Sequence, residues 1–220
     1  RSIRFIRDSD SLTEARRRLK GEPVEGCAQL GEDGNLVAMP SPIRTRELDN
    51  IPSPYLMGLM DPFFDGRLSP MIQTNRGCPF KCTFCADGSD LVNKVNHFSI
   101  ERIKDELNYI ANHVPETIKA LHIADLNFGM YKQDAEICDI LDKTKREFDY
   151  PFYVNTATGK NSKKRIISAL EKLEGVLYMD LAVQSMTPEV LKNIKRDNIR
   201  LDDFLGLKHA IKTAKIPTLS

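Results

Sequence analysis

From residue 71 onward the chain alternates between two hydrophobic periods. Short apolar runs at 71–74, 120–124, 152–156 and 176–183 read as strands, and between them apolar positions recur at the three-to-four spacing of a helix. Ile100, Ile103, Leu107, Ile110 and Val114 share one face of a helix that Ser99 is placed to cap and Pro115 to end. Ile137, Cys138, Leu141, Thr144 and Phe148 form the inward face of a second helix. Ile166, Ile167, Leu170 and Leu173 form that of a third, with Ser162 as its candidate cap. Thr187-Pro188-Glu189 opens a fourth, with Thr at N-cap and Pro at N1. Phe204, Leu207, Ile211 and Ala214 mark a fifth, and Ile216-Pro217-Thr218-Leu219 begins a fifth strand. Such alternation predicts an α/β fold with a parallel sheet and right-handed crossovers. Four units and the start of another do not close an eight-stranded barrel. The expected architecture is therefore a partial parallel (β/α) barrel, cut in its fifth strand.

The first seventy residues follow other patterns. Ser11 to Gly21 reads as a short helix with apolar residues at 12, 15 and 19, and 26–30 and 36–39 read as two strands around a Gly-Asp-rich turn. Cys27 falls in the first of these strands, where a small buried hydrophobe is expected. Pro40, Pro42, Pro52, Pro54, Pro62 and Pro70 then give residues 40–70 the composition of an extended linker. The expected organisation is a small α+β segment over 1–39, a linker over 40–70 and the barrel core over 71–220.

Composition removes several function classes. A net charge of +1 with interspersed signs gives no basic stripe for a nucleic-acid backbone, although RNA as a substrate stays open. No apolar run approaches the length of a membrane span, and Arg1-Ser2-Ile3-Arg4 lacks the apolar centre of a signal peptide, so the chain reads as cytoplasmic. Five cysteines, an odd number with three clustered, fit a metal or catalytic role in a reducing compartment better than disulfides.

That cluster is Cys78-x3-Cys82-x2-Cys85, flanked by Gly77 and Gly88. Thiolates select zinc, copper(I) or iron–sulfur centres. Structural zinc needs a fourth ligand, for which His97 is the only neighbour, and a ferredoxin-type cubane needs a fourth cysteine. A cubane held here would keep one iron open.

The string Arg76-Gly77-Cys78-Pro79-Phe80-x-Cys82-x-Phe84-Cys85 resembles the signature loop of the radical S-adenosylmethionine (radical SAM) superfamily, Cys-x3-Cys-x-aromatic-Cys. The resemblance implies a [4Fe-4S] cluster on Cys78, Cys82 and Cys85. It also implies S-adenosylmethionine chelating the open iron, reductive cleavage to a 5′-deoxyadenosyl radical, and a one-electron donor such as a flavodoxin or ferredoxin. Active sites of parallel barrels form at the carboxyl ends of the strands. The family's Gly-Gly-Glu position is occupied by Asp125-Leu126-Asn127. Phe84, Asp125, Asn127, Asn155, Gln184 and Ser185 are accordingly the implied cofactor-binding residues, while no catalytic residue is implied. Each also has a plainer reading: Asp125 and Asn127 are good turn residues, and Ser185 suits a helix start. His122 within its apolar strand, and Cys138 on an inward helix face, read as packing residues.

Asp49-x-Ile51-Pro52-x-Pro54 before the loop resembles the junction of members that carry a cobalamin-binding domain in front, so that 1–39 is read as the end of that domain. Cobalamin then joins the implied cofactors, with methyl transfer or rearrangement as the reaction. Two alternatives stay open: a radical methylthiotransferase-type modifier of tRNA or protein, and a non-catalytic zinc- or cluster-stabilised interaction module. The substrate, small or macromolecular, is not written in these residues.

Overall fold

A computed structural model of the chain describes residues 27–31, 33–40, 44–90, 92–159, 161–180 and 183–196. The chain divides into two compact units, residues 1–46 and 47–220. In the first, β1 (Ala28–Leu30) pairs antiparallel with β2 (Leu36–Ala38), as the hairpin pattern predicts. The turn closes through Gly34 at φ 79°, a conformation glycine adopts without steric cost. The predicted helix at 11–21 lies outside the described residues.

The second unit is built on β3 (Met71–Ile72), β6 (Ala120–Phe128), β7 (Tyr153–Thr158) and β8 (Leu177–Asp180), hydrogen-bonded in that order and all parallel. Between β3 and β6, β4 (Asn75–Arg76) and β5 (Asn96–His97) form a separate antiparallel pair. The helices are α1 (Ile100–His113), α2 (Asp134–Phe148), α3 (Lys163–Lys172) and α4 (Pro188–Asn193). Among the described residues the sheet does not close, which matches the partial barrel. The predicted fifth strand and the helix around 204–214 lie outside the described residues.

The helices form where the apolar periods place them. Ser99 Oγ accepts from Arg102 N at 3.1 Å, and Ile103, Leu107 and Ile110 are buried in the shared core. In α2, Ile137, Cys138 and Leu141 are fully buried, while Phe148 is only partly so. Ser162 does not cap α3 as expected. Its backbone is left-handed at φ 65°, and its hydroxyl turns to Asn161 Oδ1 instead. Thr187 begins α4 through its backbone, without a side-chain cap.

Two strands run further than their apolar runs. The 120–124 run continues to Phe128 and the 152–156 run to Thr158, because polar side chains in these extensions find partners or pack inside. Asp125–Asn127 is therefore strand rather than the loop expected, with a register irregularity between Ile123 and Phe128. Asn155 likewise lies mid-strand and not at a strand end. Residues 47–70, linker-like in composition, pack against the core: Leu48 and Tyr55 are buried, and Ser53 Oγ donates to Glu106 Oε1 at 2.6 Å. The Tyr55 hydroxyl accepts from Met71 N and donates to Met71 O, occupying backbone groups on the sheet's edge strand. Prolines fit this segment because its backbone is tied by side chains and not by a ladder.

Candidate metal centre and cofactor pocket

The cysteine loop is an excursion between two paired strands. Asn75 pairs with His97 and Arg76 with Asn96, so the loop's ends are clamped side by side. It leaves through Gly77 at φ 115°, and Cys78 N then donates to Val92 O. Cys85 N bonds Cys82 O, Gly88 N bonds Cys85 O, and Thr83 N donates to Ile194 O at 3.0 Å, beside the end of α4. The backbone therefore sets the positions of all three thiols. Cys78 and Cys82 are buried with Phe80 and Met130, and Cys85 is exposed.

Beneath the loop lies a cavity of about 250 Å³. Cys78, Cys82, Cys85, Phe80 and Phe84 form one wall. The other comes from the carboxyl ends of three strands and from residues beyond the last of them: Leu126 of β6, Ala157 and Thr158 of β7, Asp180 of β8, then Gln184 and Arg196. This is where parallel barrels build their sites. A larger cavity of about 410 Å³ lies between residues 51–70 and the edge strand, but no thiol reaches it.

The donor set fits a cluster. All five cysteines are free, yet among the described residues no three His, Cys, Asp or Glu side chains gather closely enough to hold one metal ion. Tetrahedral zinc draws its sulfurs to within roughly 4 Å of one another. An iron–sulfur cubane takes one thiolate per iron and spreads them wider, and the three thiols here line one shared cavity. His97, the candidate fourth zinc ligand, stacks edge-on against Tyr131 at 5.1 Å and lies outside the cavity wall.

A buried polar network supports the loop from below. Asp125, 2% exposed, accepts from Thr74 N at 2.8 Å, Asn75 N at 3.4 Å, Asn75 Nδ2 at 2.7 Å and Thr74 Oγ1. It thereby ties β6 to the turn from which the cysteine loop springs. Burial pushes its pKa up to about 6, while the Thr74 and Asn75 donors work the other way. Asn127, fully buried, donates from Nδ2 to Cys78 Sγ at 3.4 Å.

Of the residues singled out from sequence, the three cysteines, Phe84 and Gln184 meet at one cavity. Asp125 and Asn127 stand behind it. Asn155 lies one row below it, in register with His122 on β6 and Tyr178 on β8. Ser185 Oγ accepts from Thr187 N at 3.1 Å, a local turn at the start of α4. Cys138 is in the core, where burial lifts its thiol pKa to about 12 and keeps it unreactive. Sequence reasoning did not find Thr74, Asn75, Asp180 or Arg196. Arg196 is buried, lines the cavity and stands 6.0 Å from the Phe84 ring. Its only sequence signal is a cation after a short helix, which is too common to single it out.

Asp134, at the start of α2, accepts from Tyr131 N through Oδ2, while its Oδ1 is buried and has no hydrogen-bond partner among the described residues. Burial, then the Asp125 charge among the remaining causes, raises its pKa to about 7. Between the unfolded value near 4 and this folded value the native state holds a proton that the unfolded state does not. The stabilisation is thus complete below about pH 4 and lost as pH rises towards 7. Asp134→Asn is expected to flatten that slope, gaining on the order of 3 kcal/mol relative to the unaltered chain between pH 4.5 and 7.5. Urea unfolding across this range checks it, and parallel pH profiles for the two proteins would show that Asp134 titrates normally.

Comparison with known proteins agrees with this geometry. The Radical SAM superfamily model matches residues 72–220. The cobalamin-dependent radical SAM methyltransferase TokK of Streptomyces tokunonensis is 32% identical over 191 residues, covering 83% of this chain and 28% of that protein. The 2-(S-pantetheinyl)-carbapenam-3-carboxylate methyltransferase of Streptantibioticus cattleyicolor is 31% identical over 176 residues, covering 76% of this chain and 25% of that protein. The chain thus spans about a quarter of the length of these curated relatives. Among solved structures, the cobalamin-dependent S-adenosylmethionine radical enzyme OxsB with aqua-cobalamin bound shares the fold at TM-score 0.63 and 17% identity, over 95% of this chain and 31% of that one. The match of that family model over residues 72–220, which include the signature loop, shows that the chain belongs to the radical SAM superfamily.

Proposed function

We propose that this chain is the cofactor-binding core of a cobalamin-dependent radical SAM methyltransferase. The observation that carries the reading is the cavity itself, with three thiols of one loop facing the carboxyl ends of three parallel strands. When bound, a [4Fe-4S] cluster supplies the electron for reductive cleavage of S-adenosylmethionine, and cobalamin supplies the methyl-carrying chemistry. Cys78, Cys82 and Cys85 hold the cluster. Phe80 and Phe84 give it an apolar flank, and Gln184, Asp180 and Arg196 offer the polar and charged groups that an amino acid and a ribose require. Asp125 acts through the backbone, by fixing Thr74 and Asn75 at the root of the loop. Methyl transfer is chosen over rearrangement because both relatives above are methyltransferases by name. The free cysteines suit a reducing cytoplasm, where a flavodoxin or ferredoxin is a fitting electron donor.

Anaerobic reconstitution with iron and sulfide tests the reading. The expected results are a cubane spectrum that changes on adding S-adenosylmethionine, and 5′-deoxyadenosine or S-adenosylhomocysteine in the reduced mixture. Stoichiometric zinc in place of iron would establish the interaction-module alternative instead. Arg196→Ala is expected to weaken the spectral response to S-adenosylmethionine by about tenfold or more in concentration while leaving the iron content unchanged, because a charge-assisted contact is worth about 1.5–3 kcal/mol. An unchanged response would remove Arg196 from the pocket's chemistry.

A further inference from the structure

Two polar side chains that do not line the cavity stand beside Cys78. Asn127 is fully buried and directs Nδ2 to Cys78 Sγ at 3.4 Å. Tyr131 packs its ring against the group formed by Cys78, Phe80, Cys82 and Met130, and its hydroxyl is buried. That hydroxyl stands near Cys78 and the Asn127 carboxamide but makes no hydrogen bond of good geometry with any described group. Leaving a buried hydroxyl unsatisfied costs about 1–3 kcal/mol, and among the described residues only loose contact with the Asn127 carboxamide and Cys78 offsets that cost here. The ring is held independently: Tyr131 N donates to Asp134 Oδ2 at 2.8 Å, and His97 contacts the ring edge-on at 5.1 Å.

Resting on the cluster reading above, we propose that Asn127 and Tyr131 form a donor pair to the sulfur atoms on the Cys78 side of the cluster, and that this pair sets its reduction potential. Reduction adds negative charge to the cluster sulfurs, and an N–H or O–H directed at them favours the reduced state. The two are positioning residues. Neither lines the cavity, so neither is needed to hold S-adenosylmethionine.

The test is a potentiometric titration of the reconstituted chain and of Tyr131→Phe and Asn127→Leu, each with measured iron and sulfide. In the unaltered chain, absence of a cubane signal would overturn the cluster reading itself, which separates that failure from failure of this proposal. With full iron in the variants, each is expected to shift the reduced-to-oxidised ratio at fixed potential about tenfold towards the oxidised form, which is about 59 mV for a one-electron couple. The exchangeable-proton coupling seen by pulsed electron paramagnetic resonance in the reduced state should also weaken in Tyr131→Phe. Tyr131→Phe removes a single oxygen and keeps the packing, so it decides the matter if Asn127→Leu does not fold. An unchanged midpoint in Tyr131→Phe overturns the proposal. So does loss of iron from Tyr131→Phe, which would make the residue structural.

Discussion

Cys78→Ala, Cys82→Ala and Cys85→Ala are each expected to bring iron incorporation from about four atoms per chain to near zero, since a cubane with only two protein thiolates is not retained. Cys27→Ser and Cys138→Ala should keep full iron, because Cys27 belongs to the other unit and Cys138 is buried on the inner face of α2. Alanine is the better choice at position 138, where a serine hydroxyl would be buried in the apolar core. The loss should be unequal in its side effects. Cys78 and Cys82 are packed against Phe80 and Met130, whereas Cys85 is exposed, so Cys85→Ala should remove the cluster with the least change in thermal stability. Iron and sulfide analysis with circular dichroism melts reads both quantities. Retention of iron in all three alanine variants would move the metal centre away from this loop.

The second large effect is steric. Gly77 sits at φ 115°, and a Cβ there would stand 2.3 Å from Lys94 O and 2.9 Å from Val92 O. Both are backbone atoms of the returning limb of the loop, which cannot swing aside as a side-chain tip would. A Cβ on Gly88 would meet Cys82 O at 2.3 Å, directly against a thiol-bearing residue. Gly77→Ala and Gly88→Ala are therefore expected to lose most of the bound iron although every cysteine remains. Gly77→Ala should also cost about 1–3 kcal/mol of backbone strain. Gly175→Ala is the control: its φ of 72° carries similar strain, but nothing lies within 4 Å of the added carbon. It should lower stability and spare the cluster. Equal iron contents in all three glycine variants would show that the loop is not held as tightly as its contacts indicate.

Local patterns carried much of this molecule. The alternation of apolar periods after residue 71 places four parallel strands and the helices between them, because each element's buried face must repeat at that element's own period. The Cys-x3-Cys-x2-Cys spacing marks the candidate metal loop, since one short loop can bring three thiols to a single cavity. Gln184 and Phe84 followed from their places after a strand and within the loop, and both line the cavity.

What sequence could not supply is whatever depends on partners far along the chain. Asp125 and Asn127 read as turn residues because polar side chains after an apolar run usually meet water. They stay in the strand because Thr74, Asn75 and Cys78, some fifty residues away, satisfy them in the interior. Tyr55 and Leu48 lie in a proline-rich stretch, and only packing against the sheet edge and α1 makes them core. Asp180 reaches the cysteine loop because parallel strands deliver their carboxyl ends to one side, and Arg196 because the end of α4 meets the loop where Thr83 N donates to Ile194 O, convergences with no counterpart in sequence distance. Periodicity is a property of neighbours a few residues apart and is written in the chain. Satisfaction of a buried polar group belongs to a pair that folding brings together, and only the tertiary structure decides it.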